Sequence, residues 1–292
     1  MKKEASASDK RLIIFFAVTL LWTWVCGFIP VALGITGTKI GTFIFYFGGG
    51  APSVVALFFV FLTYSKDERR DYFHRCYSFK YMGWKWTLFT VVCFGMTTAI
   101  ALVIGVKVLG YEMPGMDFLY AILKNPAMIL LVLLISLISG PLNEEFGWRG
   151  YALDGLLVRF GFFGASAILG FIWGIWHLPW YFTPGQAQYH LLQDSFFHAV
   201  MYILAVMALS VFVTFIYIKT KRSILAGALV HMFSNLLGSQ LLSPYTAEFG
   251  VLVRYVNMVF FGIVIVYAAC SKKFCNEVDE QIAAIGEAGV HG

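Results

Sequence analysis

Charge is the scarcest property of this 292-residue sequence: Asp, Glu, Lys and Arg make up 13% of it, against 60% hydrophobic and 18% aromatic residues. Soluble domains carry about 25% charged residues, so a water-facing globule, a disordered chain and a nucleic-acid binder are excluded together. Cysteine is scarce as well. Cys26, Cys76, Cys93, Cys270 and Cys275 form no C-x-x-C pair and make an odd count, which argues against a disulfide framework or a zinc knuckle. The apolar stretches run unbroken and do not alternate residue by residue, which excludes an outer-membrane barrel. What remains is an all-α, polytopic membrane protein.

A bilayer core about 30 Å thick takes about 20 apolar residues of helix. Eight stretches meet or approach that length: Leu12–Leu33, Gly41–Tyr64, Trp86–Leu109, Pro126–Gly147, Phe162–Phe182, Phe196–Ile218, Ser223–Leu242 and Gly250–Cys270. The expected fold is therefore a bundle of eight transmembrane helices in a single domain over residues 1–270, followed by a polar C-terminal tail, 271–292. No internal repeat is visible. The basic N-terminus leads into an apolar run with no small-residue cleavage site after it, so that run reads as a retained span.

With the N-terminus in the cytoplasm, alternation places 17 of the 21 Lys and Arg residues inside and leaves Lys39, Lys107, Lys124 and Arg254 outside. Both termini are then cytoplasmic, in a plasma membrane or a membrane of the endoplasmic-reticulum type. The net charge of +5 belongs to membrane lipid and not to nucleic acid. Within Ser65–Lys85, six basic residues are interleaved with aromatics, which suits a helix at the inner headgroups or a solvated loop.

Ionisable residues away from span ends are costly in lipid and point to function. Three stretches carry them. The first is Asn143-Glu144-Glu145-Phe146-Gly147-Trp148-Arg149. On a helix, Glu145 and Arg149 share a face and can pair, while Glu144 points about 100° away and stays free to act as a base. The second places His177 among Trp173, Trp176 and Trp180, with Pro179 loosening the backbone beside it. The third puts His231 and Asn235 four residues apart on one face, with small residues Ala226, Gly227 and Ala228 nearby. Singly, these stretches also read as helix caps at an interface, a packing histidine and an interhelical hydrogen bond. Together in so charge-poor a chain they read as one site: a carboxylate base, two histidines and an amide suit hydrolysis of a carbonyl.

Other intramembrane hydrolase patterns are missing. No H-E-x-x-H occurs, no Tyr-Asp with Gly-x-Gly-Asp, and no Gly-x-Ser-Gly. A transporter, whose intramembrane Glu and His would relay protons and whose Gly48-Gly49-Gly50-Ala51-Pro52 would break a helix, stays open on the residues alone. So does a non-catalytic, immunity-type membrane protein.

The three motifs, E-E-x-x-x-R from Glu144, aromatic-x-x-x-H ending at His177 and H-x-x-x-N from His231, resemble the CPBP family. That family holds the type II CAAX prenyl endopeptidases (the Ras-converting enzyme) and bacterial abortive-infection relatives. The resemblance covers roughly residues 129–240. It implies an intramembrane endopeptidase with a cytoplasm-facing cavity that cuts near the C-terminus of a prenylated or membrane-inserted protein. It also implies roles: Glu144 activates water, His177 positions it and moves protons, His231 and Asn235 hold the oxyanion, and Glu145 with Arg149 orients Glu144. No cofactor is implied, although two histidines and a glutamate could also ligate zinc or another divalent metal. One departure is visible: the second motif opens with Trp173 where the family usually has Phe, aromatic for aromatic.

The linear reading leaves a mismatch of depth. At 1.5 Å per residue, Glu144 falls roughly 27 Å from the outer end of its span, whereas His177 and His231 fall roughly 22 and 12 Å from the inner ends of theirs. The three can meet only if the fourth or fifth span is displaced, for instance at Gly161-Phe162-Phe163-Gly164.

Overall fold

Glycine and proline decide where the long apolar runs break, and the breaks decide where the polar residues meet. The computed structural model describes residues 7–240 and 247–287; residues 1–6, the end of the seventh expected span (241–242) and 288–292 lie outside them. Every regular element among the described residues is helical. In chain order these are α1 (Ala7–Ala32), α2 (Lys39–Gly49), α3 (Ala51–Thr63), α4 (Lys66–Tyr77), α5 (Phe79–Val103), α6 (Asp117–Lys124) and α7 (Pro126–Ile138). They continue with α8 (Pro141–Gly147), α9 (Leu153–Trp176), α10 (Ala187–Asp194), α11 (Phe196–Lys219), α12 (Ile224–Asn235), α13 (Ala247–Cys270) and α14 (Lys272–Glu287).

Five stretches are long and apolar enough to cross a membrane: Lys10–Ala32, Lys66–Val108, Pro141–Phe182, Phe196–Lys219 and Glu248–Cys270. The pair α2–α3, bent by 48° where Gly50 meets Ala51-Pro52, makes a sixth. The expected count of eight full spans is thus not reached, because two of the eight are represented by shorter apolar helices, Pro126–Ile138 and Ile224–Gly238.

The expected fourth span, Pro126–Gly147, is two helices. Its chain stops at Ile138, passes Gly140, and restarts with Pro141 in the first turn of α8, a position where the missing N–H of proline costs nothing. α8 runs through a π-helical turn, Trp148–Ala152, into α9. At Gly161 the backbone turns sharply with φ +64°, a conformation that glycine alone adopts without a Cβ penalty. The chain therefore doubles back there, so Glu144 lies on one limb and His177 on the other. This removes the depth mismatch: Glu144 begins a new helix and does not end an old one.

One end of the bundle is tied by buried charge. Asp154 of α9 accepts from Arg222 Nη2 at 2.5 Å, Arg222 Nε at 3.2 Å, Arg75 Nη1 at 3.3 Å and the Tyr217 hydroxyl at 2.8 Å. α4, which the sequence offered as a headgroup helix or a solvated loop, is instead docked through Arg75 and through the Tyr72 hydroxyl, which donates to the Phe146 carbonyl at 2.8 Å. Its start is a capping box between Ser65 and Glu68.

The C-terminal segment is polar on its outer side only. α14 buries Phe274, Val278 and Ile285, Phe274 stacks at 5.0 Å against both Phe162 and Phe215, and Lys219 pairs with Glu277 at 2.5 Å. It is held by the bundle and is not a loose tail. The segments rich in Lys and Arg thus gather at one end: α4, the turn after α11 and the start of α14.

Candidate active site

Three helical limbs deliver the six singled-out residues. α8 carries Glu144 and Glu145, the π-turn that follows carries Arg149, the last turn of α9 carries Trp173 and leads into His177, and α12 carries His231 and Asn235. Glu144 is 6% exposed, and Glu145 and Arg149 are fully buried.

Glu145 is the paired carboxylate. Its Oε1 accepts from Arg149 Nη1 at 3.0 Å and from His231 Nδ1 at 2.9 Å. α12 comes close enough for this because Gly227 has no side chain: a Cβ there would stand 3.2 Å from Glu145 Oε2 and 3.3 Å from Arg149 Cγ. Glu144 is held differently. Its Oε2 accepts from the indole Nε1 of Trp173 at 2.6 Å, while its Oε1 takes no part in that bond. That oxygen lies beside Gly140, where a Cβ would stand 3.6 Å from it and 3.9 Å from Asn235 Nδ2.

Trp173 is the hub, and the sequence reading underrated it. Besides its bond to Glu144, its ring carries the Arg149 guanidinium at 4.6 Å, meets His231 edge-on at 5.1 Å and lies 6.3 Å from His177. A phenylalanine would keep the ring and the cation–π contact but could donate nothing to Glu144. The departure from the family pattern therefore adds a hydrogen bond and is more than an exchange of aromatics.

The partners of the two imidazoles fix their tautomers. His177 Nδ1 lies 2.9 Å from the Trp173 carbonyl oxygen, and His231 Nδ1 faces a carboxylate. Both partners offer only lone pairs, so each Nδ1 carries the hydrogen, and a neutral ring then presents a lone pair at Nε2. Two carboxylates against one guanidinium leave the cluster one positive charge short of neutrality, which a second proton on His231 would supply.

A cavity of about 640 Å³ adjoins the cluster, lined among others by Asn235, Ser234, Tyr202, Gln188, Arg254 and Asn257. Tyr202 also packs edge-on to His177 at 5.4 Å, so the cavity reaches both the α9 and the α12 side of the site. Its walls come from α10, the first half of α11, the end of α12 and the first half of α13. That is the half of the bundle away from the basic segments. A cytoplasmic basic end and a cavity opening on that same end, both expected from sequence, do not fit together in this arrangement. Among the described residues no group of three His, Cys, Asp or Glu side chains is arranged to hold a metal ion.

A helical membrane bundle with two carboxylates, two imidazoles and an amide gathered beside an interior cavity belongs to the class of integral membrane proteins with a buried polar site. Residues 126–237 match the family model described as type II CAAX prenyl endopeptidase Rce1-like. The chain is also similar to CAAX prenyl protease 2 of Methanococcus maripaludis, 24% identical over 262 residues, which cover 87% of this chain and 93% of the relative. Both matches agree with the resemblance drawn from the three motifs.

Proposed function

We propose that this protein is an intramembrane endopeptidase that hydrolyses a peptide bond near the C-terminus of a prenylated, CAAX-type protein held in the membrane. The observation that carries the reading is the asymmetric holding of Glu144. One carboxylate oxygen is fixed by Trp173 and the other lies beside Gly140, on the side of Asn235, which lines the cavity. Water placed there loses a proton to Glu144 and attacks the scissile carbonyl. His177, with its Nε2 lone pair free, takes part in moving that proton to the leaving amine.

The developing oxyanion is met by Asn235 Nδ2 and by His231. His231 spends its Nδ1 hydrogen on Glu145, so it can donate to an oxyanion only as an imidazolium, the form that balances the two glutamates and Arg149. Donors of this kind are worth about 3–4 kcal/mol each in characterised enzymes. Glu145 and Arg149 act through His231 and Trp173 and touch no substrate in this scheme. The charge placement adds that both termini face the cytoplasm; an impermeant maleimide should then label Cys275 only from that side, and labelling from the other side overturns the orientation.

The test is incubation of the purified protein with a fluorogenic farnesylated CAAX-type peptide, with and without a chelator. Hydrolysis that survives chelation and is lost in His177→Ala and His231→Ala supports the scheme. Hydrolysis abolished by chelation and restored by zinc assigns the two histidines to a metal instead, and absence of hydrolysis overturns the protease reading.

A further inference from the structure

Arg75, Arg149 and Arg222 are drawn into this bundle, each with a carboxylate. Arg75 pairs with Asp71 at 2.8 Å and Asp154 at 3.3 Å, Arg149 with Glu145 at 3.0 Å, and Arg222 with Asp154 at 2.5 Å. Arg254, on the first half of α13, has none among the described residues. Its guanidinium lies over the Tyr202 ring at 5.1 Å, and its electrostatic neighbours are Tyr202, Tyr181 and Tyr255. The acid that shares its cavity, Asp194, is engaged by His198 at 2.6 Å. A half-buried guanidinium facing a cavity without a counter-charge is costly in a membrane bundle, and its planar fork matches a carboxylate with two parallel hydrogen bonds.

The place of Arg254 makes the missing partner specific. Arg254 faces the same cavity as Asn235, and it is joined to His177 through one ring, since Tyr202 lies 5.1 Å from the Arg254 guanidinium and 5.4 Å from the His177 imidazole. Gln188 Nε2 holds the Tyr202 hydroxyl at 2.7 Å. One turn along α13, Asn257 lines the same cavity with its Oδ1 buried and without a hydrogen-bond partner, an acceptor suited to a peptide N–H. One ring separates His177 from Arg254, and two or three extended residues reach roughly 7–10 Å.

We propose that Arg254 is the anchor for the free C-terminal carboxylate of the substrate, with Asn257 taking a backbone N–H of the same segment. The cavity thereby selects chains that end two or three residues past the bond to be cut. The inference rests on the protease reading and adds the recognition of the chain end to it.

The experiment uses the full chain in zwitterionic lipid with two farnesylated fluorogenic peptides, one ending in a free carboxylate and one in a carboxamide. Wild-type protein should prefer the acid by about 10- to 100-fold in kcat/KM, the value of one charge-assisted hydrogen-bonded pair. Arg254→Gln should bring the ratio to about one, and Arg254→Lys should restore part of it. A wild-type ratio of one, or an Arg254→Gln variant that keeps the wild-type ratio, overturns the proposal while leaving the protease reading intact. Tryptophan-fluorescence titration of Glu144→Gln protein with both peptides separates the two claims. Preferential binding of the acid that requires Arg254, together with wild-type protein that cuts neither peptide, retains the anchor and removes the protease. Loss of the acid preference on adding anionic lipid assigns Arg254 to a lipid headgroup and also overturns the proposal.

Discussion

The cluster around Asp154 and the cluster around Glu144 are both buried charge in a charge-poor chain, yet they are built on opposite plans. Both oxygens of Asp154 are used, by two arginines and a tyrosine from three separate segments. At the Glu144 cluster capacity is left over: Glu145 Oε2, Arg149 Nε and Arg149 Nη2 are buried without a partner among the described residues. Unmet hydrogen-bonding capacity is expensive in a bundle interior. It persists here beside a cavity, at the residues proposed to bear the chemistry, while the saturated cluster lies at the end that docks α4 to α9 and α12. The contrast is between a saturated polar network and one that leaves capacity unused beside a cavity.

Mutations can break or sharpen this contrast. The largest effect on stability should come from Asp154→Asn, which leaves Arg222 without its carboxylate and Arg75 with Asp71 alone. Removing one member of a buried ionic network costs about 3–5 kcal/mol, so a large drop in melting temperature in detergent is expected; an unchanged one would dissolve the distinction. Trp173→Phe is next. It keeps the ring but removes the donor to Glu144, a charge-assisted bond worth about 1.5–3 kcal/mol, so kcat should fall at least roughly 10-fold, with a smaller drop in melting than in Asp154→Asn. Unchanged kcat would mean that the indole N–H does not hold the base. Gly227→Ala should act least, by about 1 kcal/mol, through its Cβ 3.2 Å from Glu145 Oε2. A several-fold loss of activity exceeding the loss of stability would show that the Glu145–His231 bond matters for rate.

Much of this was legible in the sequence, for reasons tied to short-range periodicity. The i,i+4 pairs Glu145–Arg149, Trp173–His177 and His231–Asn235 declare themselves wherever helix is expected, because four residues bring side chains to one face. The long apolar runs mark their helices in the same way. What stayed hidden depends on backbone geometry or on contacts distant in sequence. The restart at Pro141 and the reversal at Gly161 sit inside apolar composition that reads as continuous, and they changed both the number of full spans and the depth of Glu144. The bond from Arg75 to Asp154 joins residues 79 positions apart, and nothing local announces it. Phe274, Val278 and Ile285 follow helical spacing, so the buried face of α14 could have been read from periodicity had the segment not been judged by its polarity. Trp173 was noticed only as an aromatic, and its N–H gained meaning once a carboxylate stood 2.6 Å away.

The most direct measurement is the paired one on Glu144→Gln: hydrolysis of the farnesylated peptide and thermal unfolding of the same preparation. The account predicts a fall in kcat of roughly 10²- to 10⁴-fold with a melting temperature equal to that of the wild type, the reverse of the Asp154→Asn result. A Glu144→Gln protein that hydrolyses the peptide at the wild-type rate would contradict it.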